Sequence, residues 1–421
     1  MIADGLLAFA LVLTTATQLR PGTSSVGPAE VMMVLWILVA GFRLLRHGVL
    51  RLDEPVRVVG GFWLAFVTSL CIGDMVGLLI ETRRDGISAI HDIFAYALLL
   101  PVSVLAVVQD DASARLTRTA WMCVVFGNFL LVAQFANAYG MFSVSFLHPW
   151  YWDRLEGWST NPNQLALLAA VLQFLALHLA ERATSRLGRL AGIACAPLPF
   201  LAGAMSLSDT FIVVCICCFL MLGAMTLRRW IVVASSSATQ VLSAWAVMLA
   251  VPVLLLSLLP FIPFAMAQAD QYANSVYNGT DRSRVATSEG AVRLRLWHEA
   301  VVRGVGAAGL GLGPGAHLMN PPYKREPPPK FEAHNTVLDI FTQGGVLGVL
   351  AVVWIWGKAL KVAWRGHAAG LATATCAIAV FSMFHLIIRQ PMFWFTMALS
   401  LSTGLAPVAG VSSSGPRSAG V

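Results

Sequence analysis

The dipeptide His334-Asn335 opens an apolar stretch of membrane-spanning length, and a glycine series and an arginine-bearing helical segment precede it. At the first turn of a helix the dipole disfavours an imidazolium, so His334 stays neutral and able to accept a proton. A neutral imidazole at a membrane surface can serve as a general base; a histidine in that place also fits a capping or interface role. The segment 290–303 reads as a helix, with Thr287 or Ser288 as its cap. Its apolar residues Val292, Leu296 and Val302, with Leu294, Trp297 and Val301, fall at helical spacing, so it packs on a bundle or lies in the interface. Arg293 and Arg295 then project about 200° apart, and only one of them faces a shared pocket.

Between these two features lie Gly304, Gly306, Gly309, Gly311, Gly313 and Gly315. Gly311-Leu-Gly313-Pro-Gly315-Ala316 fits a dinucleotide fingerprint on paper, but no strand precedes it and no βαβ unit surrounds it. A compact turn that lets backbone approach a neighbour or a ligand is the favoured reading, with bare loop geometry ahead of phosphate contact. The stiff, basic 321–330 stretch reads as a spacer, and Asn278-Gly-Thr280 has only the form of a glycosylation sequon.

The elements that must hold these residues are membrane helices. The chain is 57% hydrophobic and 12% charged, with a mean hydropathy of +0.74, whereas soluble domains are roughly a quarter charged. Apolar runs fall near 3–19, 27–45, 58–80, 89–108, 118–138, 162–181, 190–206, 208–226, 240–264, 336–357, 369–387 and 391–408. A span needs about 20 apolar residues, so the expectation is an all-α polytopic membrane protein of about twelve transmembrane helices. Nine spans fill 1–267, one large polar loop occupies 268–333, three spans fill 334–408, and 409–421 is a tail.

Arginines in alternate short loops (Arg43, Arg46, Arg51 and Arg57; Arg115 and Arg118; Arg182, Arg186 and Arg189; Arg228 and Arg229) put both termini in the cytoplasm and the large loop outside. The first span dissents, with Asp4 before it and Arg20 after it, and is read as a retained anchor because no basic region precedes it. Most of the net charge of +7 is this inner-loop arginine, which argues against nucleic acid as a partner. All seven cysteines fall inside expected spans, so no disulfide scaffold is implied. The absence of an internal repeat disfavours a transporter. Asp74 and Asp92, with His91, are costly in lipid and must face the bundle interior or water. Glu326 and Glu332 are too few oxygens for a hard cation, and no metal or other cofactor is expected.

Three stretches carry a resemblance. Arg293-Leu-Arg-Leu-Trp297-His-Glu-Ala300, then Gly309-Leu-Gly311-Leu-Gly313, then His334-Asn335 leading to Gly344-Gly345-Val-Leu-Gly348, resemble the O-antigen ligase and polymerase superfamily. Arg154-Leu-Glu-Gly157-Trp-Ser-Thr-Asn161-Pro162-Asn163 is similar to that family's entry into a central helix. One departure is Ser206-Leu-Ser208-Asp209, where many members carry an arginine in place of Asp209. The resemblance implies a GT-C-like bundle in the bacterial inner membrane that moves polysaccharide from undecaprenyl diphosphate to a sugar hydroxyl of the lipid A core, on the periplasmic face and without metal. The single dominant outer loop resembles the ligases more than the polymerases. A polymerase, a branch that glycosylates protein hydroxyls, and a lipid-linked sugar flippase of a different class remain the alternatives.

On that reading His334 takes the acceptor proton and Arg293 is the first choice for the diphosphate, because a planar guanidinium pairs with phosphate at two points. Arg154 and Arg389 are second choices, equally suited to snorkel as interfacial anchors. Asn161 and Arg295 are counted with them as substrate-binding, and Asn335 either orients the acceptor or the imidazole or caps the helix.

Overall fold

The computed structural model describes residues 1–21, 26–47, 52–81, 84–109, 111–233, 281–319 and 330–403. The expected ninth span at 240–264, residues 268–280 with the sequon, the proline stretch 321–329 and the 409–421 tail lie outside them. The described chain is helical almost throughout: α1 (Ile2–Leu13), α2 (Pro28–His47), α3 (Glu54–Ile80), α4 (Gly86–Val108), α5 (Ala112–Ala138), α6 (Pro162–Arg182), α7 (Arg186–Ala194), α8 (Pro197–Met205), α9 (Asp209–Val233), α10 (Asp281–Gly306), α11 (Thr336–Arg365), α12 (Ala369–Ser382) and α13 (Pro391–Thr403). Among the described residues, eight helical segments are long and apolar enough to cross a membrane and two shorter apolar helices accompany them. The chain is a polytopic helical membrane protein.

Local chemistry sets the helix starts that matter here. Asp85 caps α4 by accepting from Ile87 N–H at 3.1 Å and Ser88 N–H at 3.3 Å. Asn161 caps α6 through Asn163 N–H at 2.9 Å, with Pro162 at the first helical position, where its missing N–H costs nothing. Several elements depart from the expected spans. The apolar run 190–206 is divided into α7 and α8 at Pro197, which cannot continue the preceding helix. The first helix ends at Leu13, and a single 3-10 turn, Thr17–Leu19, follows it. Helix α10 begins at Asp281, so Thr287 and Ser288 lie inside it and do not cap it.

Helices α6 and α13 form the interior. Helix α6 touches α5, α7, α8, α9 and α12, and its residues 165–176 are buried on every side, as expected for a helix apolar all round. Helix α13 is enclosed by α3, α4, α5, α11 and α12. Its Trp394 stacks on Trp63 of α3 with ring centroids 4.6 Å apart and donates its indole N–H to the Ile388 carbonyl.

The glycine series meets α3 and α11 at one crossing. Helix α11 breaks at Gly345, whose φ of 63° and ψ of −159° only glycine adopts readily. The break frees carbonyls that would otherwise bond within the helix. Leu312 N–H donates to the Thr342 carbonyl at 2.7 Å and Gly313 N–H to the Gln343 carbonyl at 2.8 Å. On the far side, Val346 N–H donates to the Gly309 carbonyl at 2.8 Å. The extended 309–313 segment thus replaces the missing turn of helix, and no backbone group at this level need remain unpaired in an apolar surround. A Cβ at Gly311 would land on the Gln343 carbonyl, and one at Gly73 of α3 on that same oxygen. The glycine series thus meets α3 and α11 by close backbone approach.

Substituting alanine at Gly345 is therefore expected to cost about 1–3 kcal/mol from backbone strain alone, before the clash with Gly309. Gly357 lies in the same helix with open space around it, so alanine there should be neutral or slightly stabilising. Thermal unfolding of the two detergent-solubilised variants tests this, and equal melting temperatures would contradict it.

Candidate active site

His334 occupies the residue before the α11 cap in a left-handed backbone conformation, φ 54°. A non-glycine residue holds this conformation only when its surroundings impose it. The restraint is Asp339, one turn into α11 and buried, whose two carboxylate oxygens accept from Ala333 N–H at 2.6 Å and Asn335 N–H at 3.2 Å. These donors flank His334 on both sides. Trp297 of α10 donates its indole N–H to the Ala333 carbonyl at 3.0 Å. Arg293 lies one helical turn from Trp297 on the same face of α10, so this bond also fixes the turn that carries Arg293 against the histidine loop.

Helix α10 is held by a small apolar cluster separate from the main core. Leu296 and Ala300 pack with Leu318 and Ala333, and Val292, Trp297 and Leu338 border them. Of the apolar positions read from the sequence, Leu296 is buried, while Leu294, Val301 and Val302 face outward.

Asn335 is buried. Its side-chain oxygen caps α11 by accepting from Val337 N–H and Leu338 N–H, at 3.0 and 3.2 Å, and its amide donates to the Met383 carbonyl at 2.9 Å. Thr336 donates to the His385 carbonyl at 2.6 Å and accepts from Ile387 N–H at 3.0 Å. Together they fasten the 383–390 loop to the start of α11 and bring a second imidazole, His385, to the first.

Four groups meet here. The His334 ring is open to solvent yet surrounded by protein on most sides. Burial holds its pKa below the usual histidine value, and the charges of Arg293 and Arg389 act in the same direction against the opposing pull of Glu332. Burial, with Arg293, His334 and Arg154 adding to it, pushes His385 down to about 3. Both rings are therefore neutral near pH 7. His385 Nε2 lies 3.3 Å from the Thr210 hydroxyl at the start of α9. Arg154 donates from Nε to the Ser206 carbonyl at 3.0 Å and from Nη2 to Asn163 Oδ1 at 3.5 Å, and Ser208 donates to the same Asn163 oxygen at 2.7 Å. The Ser206-to-Thr210 segment thus links Arg154 on one side to His385 on the other.

The arginines differ in what they have left to offer. Arg154 rests on neutral acceptors, and no ion pair engages Arg293 among the described residues. Arg389 is bound by two carboxylates, Asp92 and Glu332, the latter at 2.6 Å, and also donates to His91 Nδ1 at 3.3 Å. Arg295 is exposed, and Asn161 is an exposed helix cap. The site thus brings together Arg293, His334, Arg154 and, through its ion pairs, Arg389.

A second polar group lies beside it. Glu81 at the end of α3 faces His317 Nδ1 at 3.1 Å, and His317 Nε2 lies 2.8 Å from the Gly313 carbonyl, a contact that requires a proton on Nε2. Burial raises the Glu81 pKa, but His317, Lys330 and Arg303 outweigh it and hold the carboxyl below its ordinary value. This group anchors the glycine segment to α3. Among the described residues, no cluster of histidine, cysteine or acidic side chains could hold a metal.

The sequence did not single out His385, Thr210 or Asp339. His385 fell inside the expected span 369–387, but α12 ends at Ser382. An ionisable residue within an apolar run was the available signal.

Residues 194–353 match the family model described as O-antigen ligase. That segment runs from the end of α7 through α10, the glycine series and His334 to beyond the break in α11. It supports the O-antigen ligase/polymerase superfamily, whose members are glycosyltransferase-like enzymes, and bears out the resemblance read from the sequence. Arg154, His385 and Arg389 lie outside the matched segment. No curated protein matches the chain.

Replacing Asp339 with alanine leaves two buried N–H donors unpaired, at about 1–3 kcal/mol each. Trp297→Phe removes one hydrogen bond, worth about 1 kcal/mol, and keeps an aromatic ring in place. Melting of purified protein should fall further for Asp339→Ala than for Trp297→Phe; the reverse order would contradict the assigned restraints.

Proposed function

We propose that this chain, whose 194–353 segment is an O-antigen ligase family domain, transfers a polysaccharide from undecaprenyl diphosphate to a sugar hydroxyl of the lipid A core. Transfer takes place on the periplasmic face of the bacterial inner membrane. The observation that carries the reading is the solvent-open imidazole of His334 in the electrostatic field of Arg293, a guanidinium with no ion-pair partner among the described residues; burial and that charge hold the imidazole pKa below the usual histidine value.

In the proposed reaction His334 accepts the proton of the acceptor hydroxyl as that oxygen attacks the anomeric carbon. The bond from that carbon to the diphosphate oxygen breaks, and the diphosphate leaves with its negative charge stabilised by Arg293 and Arg154. A guanidinium already neutralised by carboxylates attracts an anion weakly, so Arg389 is assigned to holding the 383–390 loop in place. Asn335 and Asn161 serve as helix caps, and Arg295 has no step. His385, neutral and bonded to Thr210, borders the acceptor side of the pocket. The family covers polymerases as well as ligases, and the ligase reading rests on the single dominant outer loop.

A strain lacking the protein is expected to accumulate polymer on carrier lipid and to show bare core on a lipopolysaccharide gel. Core bearing a single repeat would point to the polymerase, and loss of exported units to a flippase. His334→Ala should reproduce the null pattern with the protein still in the membrane, since removing a general base typically costs about 10²–10⁴-fold in rate. Normal core capping by that variant would exclude His334 as the base.

The pH dependence has a definite sign. Transfer by purified protein should fall as pH drops through a value below 6.5, where His334 gains its proton. Glu332 raises the His334 pKa and also neutralises Arg389. Glu332→Gln should therefore move the acid limb to lower pH, and an upward movement would contradict the assignment.

A further inference from the structure

Between α5 and α6 the chain forms a loop and a two-stranded hairpin, β1 (Trp150–Tyr151) paired antiparallel with β2 (Arg154–Leu155), so that Tyr151 lies opposite Arg154. The base of the hairpin is pinned. Gln18 donates to the His148 carbonyl at 2.9 Å and the Ser159 carbonyl at 2.6 Å, and Trp150 donates its indole N–H to the Ala138 carbonyl at 3.0 Å. The tip is bare: Trp152 is 87% exposed and Tyr151 53%. The adjoining loop exposes Met141 at 81% and Phe146 at 57%.

A hairpin that presents apolar rings, with no apolar partner for its tip among the described residues, favours burying them against something else. The continuation of the surface identifies that partner. Along α5, a membrane-spanning helix, Val125, Phe129 and Val132 are exposed on one face, and Tyr139 extends the same stripe past the end of the helix. An exposed apolar stripe on a helix long and apolar enough to cross a membrane suits lipid, and Trp150 ties the hairpin to the end of that stripe through Tyr139 and the Ala138 carbonyl. Rings with one polar edge, such as tyrosine and tryptophan, collect at this boundary.

We infer that the 139–152 segment is an interfacial anchor, with Trp152 and Tyr151 seated in the headgroup zone of the leaflet on the site's side of the membrane. The anchor would set the depth of Arg154, two residues beyond Trp152 in a pinned hairpin. On the reading under Proposed function, that depth is where the diphosphate of a lipid-linked donor lies. The anchor itself does not depend on that reading.

The test uses the full chain in phosphatidylglycerol vesicles containing phosphatidylcholine brominated either near the headgroup or near the chain ends. Subtracting the emission of Trp152→Phe from that of the native chain isolates one of thirteen tryptophans. Tyr151→Trp adds a second, independent reporter beside it. Both signals should lose more intensity to bromine near the headgroup than to bromine at the chain ends, and should be shielded from a water-borne quencher. Signals untouched by either lipid and quenched from water would overturn the inference. Signals that change only when a soluble core oligosaccharide is added would also overturn it, in favour of a sugar-stacking platform. Glycosyl transfer is not the readout, so failure of the anchor and failure of the proposed reaction are distinguishable.

Discussion

A single buried carboxylate, Asp92, lies where the parts of the site meet. One oxygen takes Arg389; the other accepts from Gly315 N–H and from the Gln343 amide, each at 3.0 Å. These partners belong to the 383–390 loop, the glycine segment and α11, while Asp92 itself is on α4. A carboxylate withdrawn from water is tolerable only when paired and hydrogen-bonded, so the four elements are held to one arrangement by the cost of leaving any of these groups without a partner. Gln343 extends the network by accepting from the Tyr96 hydroxyl at 3.1 Å and donating to the Gly315 carbonyl at 3.2 Å. The arrangement fixed in this way includes the surroundings of His334. The 383–390 loop carries His385, and Glu332, the other partner of Arg389, is two residues from His334.

The same economy explains the broken helix. Within a bilayer an interrupted helix is tolerated only where other protein satisfies the freed backbone. Here the glycine segment does so with three hydrogen bonds, and Gly73 of α3 leaves room for it. The break shapes the start of α11 as a short, independent helical piece. Its first turn caps onto Asn335, and its Asp339 reaches back to hold His334 in a strained conformation. The strain at His334 falls on the residue that reads best as the base, and the bonds that impose it come from the two helices, α10 and α11, that must be kept in register.

The membrane bundle and the His334 neighbourhood were legible in the sequence because their signals are local. Apolar runs mark spans, and an arginine one turn before a tryptophan marks a helix face. Asn335 read equally as a cap or a substrate ligand, since the amide of a first-turn asparagine fits both; its bonds to Val337, Leu338 and Met383 show the cap. The partners of Arg389 were illegible for a different reason. Asp92 and Arg389 lie at opposite ends of the chain, and no periodicity links them, so a paired arginine and a free one look identical in sequence. His385 was hidden by an apolar run that continues past the end of α12. The break at Gly345 was hidden because Gly344-Gly345 sits within residues apolar enough to read as unbroken helix.

In the proposed reaction, ion pairing removes Arg389 from anion binding and leaves Arg154 and Arg293 to face the leaving group beside His334. The most direct measurement is a structure of the protein in a lipid bilayer with a non-transferable polyprenyl diphosphate sugar bound. The diphosphate is expected between the Arg154 and Arg293 guanidiniums, with the anomeric carbon on the His334 side and the Arg389 pairs with Asp92 and Glu332 intact. A diphosphate seated on Arg389 with those pairs broken, or one bound away from His334, would contradict it.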